Sequence, residues 1–378
     1  MRNIPRVLPQ ELVDLIIDNV ADAEGSVYVT LSSCRLVCRS WEARAALYLL
    51  KRVSVLAPKF EAFLRLAKTS ERIRTFTEEL SILGVTAHLF GQWSELFSVL
   101  PKLSSLEIWN VLVTPTEPDS SDTAIHVHTL ANFKLYCINL DTLRLFLRPF
   151  SYVETLSLRS EPLWHTVAGE QTAAQPQIRP LPVGRLILEN CCDFATLRVL
   201  REILRPTAVV ANEILRRNFG AVDAFLKSAG SGVEELELHP AREDAPAGLA
   251  EVLLPWERAR PADFQGLGSC AKLRFLELDI INVSWGGSLF KGVLLHLPEG
   301  IERVRIKLAF SQWDCALGVI SLHFGARPTR YAKFASLELC GLCEGLLPDD
   351  EQQRLRKLQA EVQGSLQPRY GPVTKIMP

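Results

Sequence analysis

Over the first fifty residues apolar positions return every three or four places; beyond them a different rhythm takes over. In "LPQELVDLIIDNV" Leu12, Leu15, Ile16 and Val20 recur at helical spacing, and Val13 and Ile17 widen the apolar stripe past one face. Pro9 suits a first helical turn, where its missing N–H leaves no bond unmade, and Glu11 and Asp14 suit the positive end of the helix dipole. Thr30 is expected to cap a second helix. In that helix Leu31, Cys34, Cys38 and Trp41 fall at i, i+3, i+7 and i+10, beside Leu36 and Val37, and a third short helix is expected over "EARAALYLLK". Three short helices in about 50 residues bury little surface among themselves. The surplus apolar surface must pack on the rest of the chain or meet another protein.

Past residue 50 the phrase apolar-x-x-apolar-x-apolar repeats. It appears as Leu50-Val53-Val55, Leu103-Leu106-Ile108, Leu130-Phe133-Leu135, Val153-Leu156-Leu158 and Val183-Leu186-Leu188, then as Val233-Leu236-Leu238, Leu273-Leu276-Leu278, Ile301-Val304-Ile306 and Phe334-Leu337-Leu339. "EELSILG" is a weaker member, and "TAVVAN" near Val209 weaker still. The early intervals are near 27, 26, 27 and 23 residues, and later ones stretch to about 30, 40 and 33, so insertions are present. Helical patterns such as "FEAFLRLAK", "FATLRVLREIL" and "SLFKGVLLHL" lie between the copies. Alternating strand and helix implies a parallel sheet with right-handed crossovers. The phrase resembles the core of the leucine-rich repeat, although Asn is absent from most positions where regular repeats use it. That resemblance implies a stacked solenoid; an ordinary doubly wound α/β domain is the alternative, disfavoured by the regular early period and the lack of a nucleotide-binding turn.

The amino-terminal residues carry a second resemblance. Leu8-Pro9-x-Glu11-Leu12, then Ile16-Ile17, then Cys34-x-Leu36-Val37-Cys38-Arg39-x-Trp41 resembles the F-box, with "LVCRSW" the most specific part. The stretch between the helices, "DNVADAEGSVYVT", is longer than in the shortest F-boxes and resembles the large F-box families of filamentous fungi. The resemblance implies a surface for Skp1 built from Leu8, Pro9, Leu12, Ile16, Leu31, Val37 and Trp41, with Trp41 also stiffening the module. It implies no bond chemistry in this chain: an SCF-type ubiquitin ligase would use it as a substrate receptor, joined through Skp1 to a cullin, and proximity would supply the gain. The expected fold class is therefore α/β, a short all-α F-box over 1–52 followed by an irregular leucine-rich-repeat-like solenoid over 53–348. A capping helix and tail would fill 349–378, with Leu355, Leu358 and Val362 at helical spacing and the last residues frayed. A repeat-type interaction scaffold with no link to ubiquitination is the second reading.

Composition narrows the partners. A formal net charge of −1 gives no general attraction to nucleic acid or an anionic membrane, and no run approaches the roughly 20 apolar residues of a membrane span. Prolines and acids interrupt the amino terminus before a signal-peptide core forms. Nine scattered cysteines read as reduced residues of an intracellular protein, cytoplasmic or nuclear. Cys340-x-x-Cys343 has redox or half-zinc spacing, but it follows a repeat strand and no second pair completes a site. His126 and His128 lack a third ligand, and "GLGSCA" at 266–271 lacks the last glycine of a dinucleotide turn. No catalytic residue, metal site or cofactor is expected. Polar, proline-rich stretches at 114–123, 160–184 and 239–263 read as loops. Trp164 and Trp256, in the last two, read first as anchors tucked on the core and second as client-binding residues.

Overall fold

The computed structural model describes residues 8–22, 27–84, 93–109, 128–136, 143, 146–147, 149–159, 180–190, 194–241, 264–281, 286–308, 316, 318–320, 323, 333, 335–341, 353, 357, 360 and 374–377. The chain forms two compact units, Met1–Ser151 and Tyr152–Pro378.

The first unit opens with helices α1 (Gln10–Asp22), α2 (Val27–Cys34) and α3 (Arg39–Lys51). Pro9 starts α1 as its sequence requires: its carbonyl accepts from the amides of Leu12 and Val13. Val13, Ile17, Leu31, Cys34 and Ala45 form the small core of this trio, with Val20, Trp41, Tyr48 and Leu49 packed around it. The chain runs from α3 directly into β1 (Arg52–Leu56), followed by α4 (Phe60–Thr69), α5 (Glu71–Phe76), β2 (Glu79–Leu83), α6 (Trp93–Val99), β3 (Ser105–Trp109) and β4 (His128–Tyr136). Ser70 caps α5, its hydroxyl accepting from the Ile73 amide. The strands pair in parallel and in chain order, β1 with β2, β2 with β3 and β3 with β4. Thr77, fully buried, donates its hydroxyl to the Leu50 carbonyl at 3.0 Å and ties the end of α3 to the loop before β2.

The second unit carries β5 (Phe150–Arg159, in this unit from Tyr152 on), β6 (Leu181–Glu189), α7 (Phe194–Ile203), β7 (Leu204–Ile214), α8 (Phe219–Ala229) and β8 (Glu235–Pro240), then β9 (Phe275–Asp279), α9 (Gly286–His296), β10 (Arg303–Leu308), β11 (Ser336–Gly341) and β12 (Thr374–Met377). From β5 to β12 each strand pairs in parallel with the next. The fold is mixed α/β with parallel strands, as the alternation of patterns implies.

The repeated phrase also fixes the register. Its central apolar residues fall opposite one another, Leu186, Val209, Leu236, Leu276, Val304 and Leu337 in one row. All six are buried, because a strand's side chains alternate between faces and one slip would expose the whole set. "TAVVAN" proves to be part of β7, at 11 residues a long strand.

Three local expectations differ from the structure. Thr30 lies inside α2 instead of capping it, and the helix ends at Cys34. The amides of Leu36 and Val37 bond back only three residues, to Ser33 and Cys34, tightening the chain into a turn; Cys38, extended, then starts α3, so Trp41 sits one helix later than the periodicity suggests. The tail is not frayed at 374–377: those residues form β12, paired in parallel with β11.

Gly266, in the short 3-10 turn Gln265–Ser269, donates its amide to the carboxylate of Asp223 on α8. A Cβ at Gly266 would lie 2.2 Å from the Asp223 carbonyl oxygen, and backbone cannot step aside as a side chain can. Gly266→Ala is expected to cost about 1–3 kcal/mol, read as a melting point lowered by several degrees; an unchanged melting point would contradict this packing.

Candidate functional site

Because the apolar stripe of α1 is wider than one face, the trio cannot bury all of it. Val13 and Ile17, one turn apart, face inward at 2% and 0% exposure, while Leu8, Leu12, Leu15 and Ile16 stay exposed, Leu15 at 57%. Tyr28 and Val29 on α2 are exposed too, as are Leu36 and Val37 on the turn after it, at 86% and 61%. Of the residues expected to dock, Leu8, Pro9, Leu12, Ile16 and Val37 lie on the exposed surface. Leu31 does not: at 3% exposure it belongs to the trio's core, sharing an inward face with Cys34. Trp41 is half-buried against that core. Leu15, Tyr28, Val29 and Leu36 are exposed beyond the expected docking set, although Leu15 belongs to the helical stripe of α1 and Leu36 to the F-box-like pattern.

Polar contacts hold this surface in shape. Arg44 on α3 grips Asp18 on α1 with two bonds, Nε to Oδ1 at 2.8 Å and Nη2 to Oδ2 at 2.7 Å, and the Tyr48 hydroxyl donates to the same carboxylate at 2.9 Å. The Arg44 hydrogen bonds hold the Asp18 carboxyl below its ordinary range, against the opposing effect of desolvation. Such a bidentate pair fixes direction as well as distance, so it sets how α1 lies on α3.

In the first unit the strand face opposite the buried rows ends in a partly exposed apolar line. Leu56 pairs with Leu83 and Leu83 with Trp109, and Trp109 stacks on Tyr136 at 3.8 Å with ring planes 6° apart.

In the second unit the corresponding face carries charge. The register sets Glu237 opposite Glu277, Glu277 opposite Arg305, and Arg305 opposite Glu338. Two carboxylates side by side repel, and cations relieve them from both flanks. Arg185 reaches Glu237 at 2.7 Å; Arg305 reaches Glu277 at 3.1 Å and Glu338 at 2.7 Å; Lys307 reaches Glu277 at 2.6 Å. His239 lies between Glu237, 3.6 Å from Nε2, and Asp279, 3.7 Å from Nδ1. Burial acts to raise the Glu277 carboxyl, but hydrogen bonds and charge from Lys307 and Arg305 outweigh it and hold the group below its usual range. Asp279 is also held low, its own burial opposed by His239 and the Ile281 amide.

Glu237, His239 and Glu277 offer ligand atoms within 4.8 Å of one another, a group that could in geometry hold a cation. Arg185, Arg305 and Lys307 already supply its positive charge, so a divalent ion would have to displace an ammonium or guanidinium group. Burial pushes the Cys340 thiol up, away from the reactive thiolate. Cys343, His126, Trp164, Trp256, Leu355, Leu358 and Val362 lie outside the described residues. No helix among the described residues is long and apolar enough to cross a membrane.

The charged row makes a pH-dependent contribution whose sign is fixed. A carboxyl held low by folding stabilises the folded state above the unfolded pKa, and that stability is lost as pH falls through the folded value. Glu277→Gln is expected to destabilise the protein by about 1–3 kcal/mol at neutral pH. It should also shrink the drop in melting temperature between pH 7 and about pH 3, below the ordinary carboxylate range. An equal drop in variant and parent would contradict the assigned role.

No family model matches the chain, and none of the curated proteins searched does. Among solved structures the chain is similar to one described as the crystal structure of the Rad7 and Elc1 complex in yeast, at 14% identity over 89% of this chain and 90% of that one, with a TM-score of 0.29. A superposition this loose carries no argument about fold or function.

Proposed function

We propose that the chain is a substrate-recognition adaptor of an SCF-type E3 ubiquitin ligase. The trio would act as an F-box that docks on Skp1 and, through it, a cullin; the parallel-strand body would act as a degenerate leucine-rich-repeat solenoid that presents a client protein. One observation carries this reading: Leu12, Leu15 and Ile16 of α1 and Leu36 and Val37 of the turn are exposed, while Val13, Ile17 and Cys34 beside them are buried. Exposed apolar residues this dense mark an interaction surface, and the sequence pattern around them is the one that resembles the F-box. The chain's part is then binding, with no bond chemistry of its own, in the cytoplasm or the nucleus. A client would meet the strand faces, where an apolar line in one unit and paired charges in the other offer distinct recognition chemistry.

Large apolar side chains at the centre of an interface each contribute about 2 kcal/mol or more, and about 1.4 kcal/mol is tenfold in affinity. Leu12→Ala/Ile16→Ala is expected to weaken Skp1 binding at least about tenfold in titrations with the full chain, with circular dichroism unchanged because both side chains are exposed. Equal affinity in variant and parent would overturn the docking surface. Failure of Skp1 and a cullin to co-purify with the parent would favour an interaction scaffold unconnected with ubiquitin.

A further inference from the structure

Five consecutive residues, Arg35 to Arg39, are all exposed: an apolar tip, Leu36 and Val37, and then Cys38, held between two arginines. The other cations of the trio are matched: Arg44 on Asp18 and Lys51 on Glu78. Among the described residues neither Arg35 nor Arg39 forms an ion pair. Arg39 is moreover the first residue of α3, where the helix dipole disfavours a cation. The acid in that first turn, Glu42, is engaged by Arg72. Among the described residues Glu11 and Asp14 belong to α1, and Asp14 accepts a hydrogen bond from Gln10. Among the described residues the turn is thus a positively charged rim around an apolar tip, with no acid paired to it.

We infer that the surface receiving this turn is an apolar groove rimmed by carboxylates, and that Arg35 and Arg39 govern how fast the partner is found while Leu36 and Val37 govern how long it stays. The inference rests on the docking reading above and assigns the partner's chemistry at one end of that surface. Rim charges act over about a Debye length, roughly 10 Å at 0.1 M salt and 3 Å at 1 M, and so change association rate and its salt dependence. Buried apolar contacts act mainly on dissociation.

The test is stopped-flow association of the full chain with purified Skp1 from about 0.1 to 1 M salt. The parent's association rate should fall about tenfold across that range. Arg35→Glu/Arg39→Glu should associate about tenfold more slowly at the low end, with a flattened salt dependence and a dissociation rate within about twofold of the parent. Arg35→Lys/Arg39→Lys should keep most of the rate. Leu36→Ala/Val37→Ala should leave association nearly unchanged and speed dissociation about tenfold. Binding that is indifferent to salt, or a charge-reversed variant that associates as fast as the parent, overturns the inference and leaves the docking reading standing. A parent that does not associate with Skp1 at any salt overturns both.

Discussion

The structure depends on a simple constraint: in each parallel strand every second side chain must be buried beside the same position of its neighbours. Leu186, Val209, Leu236, Leu276, Val304 and Leu337 satisfy it in one continuous row. Fixing one face leaves the other free, since alternate residues point away from the core. On that second face a like-charged pair such as Glu237 and Glu277 survives only because Arg185, on β6 two strands from Glu237, and Arg305 and Lys307, on β10, arrive at bonding distance. The burial of one face therefore dictates which charges meet on the other. A register slip of one residue would expose leucines and separate every ion pair at once.

The helical trio obeys a different limit. Its core is a handful of medium-sized side chains, Val13, Ile17 and Leu31 among them, too little to cover an α1 that is apolar on more than one face. Part of its cohesion comes instead from the Asp18, Arg44 and Tyr48 contact and from the run of α3 straight into β1. A small module held by polar clamps and by its attachment to a sheet can leave its outward leucines uncovered without coming apart.

The sequence made the strands legible because the signal is local and repeated: Leu, Ile and Val two apart, bounded by turns. The parallel α/β character follows from that rhythm and from the helices between. The break between α2 and α3 was hidden because Leu36 and Val37 continue the apolar periodicity through a turn that leaves them in solvent, and periodicity cannot tell inward from outward. For the same reason periodicity does not show that Leu31, expected at the Skp1 surface, faces the trio's core. β12 was missed because "TKIM" is short, half polar and preceded by Pro372. The pairs Arg185–Glu237 and Arg305–Glu277 join residues 52 and 28 positions apart, and no short window along the chain contains both partners. A signal is nonetheless present in the polar letters: "ELELH" and "FLELD" are acidic, "RVRIKL" is basic and "SLELC" is acidic again.

The two kinds of exposed surface differ in what they ask of a partner. The apolar surface of α1 and the 35–37 turn gains only by leaving water, so any shape-matched apolar groove satisfies it. Such a surface suits a constant partner, the same in every encounter, with flanking charge to select among grooves. The charged face of the second unit is already neutralised strand by strand. A ligand gains there only by replacing an existing pair with one at least as good, and that exacts geometric agreement at several residues. Discrimination is what a client-binding surface requires, and indifference to the client is what an adaptor-binding surface requires. The proposed division of labour thus follows from where desolvation, rather than pairing, supplies the free energy.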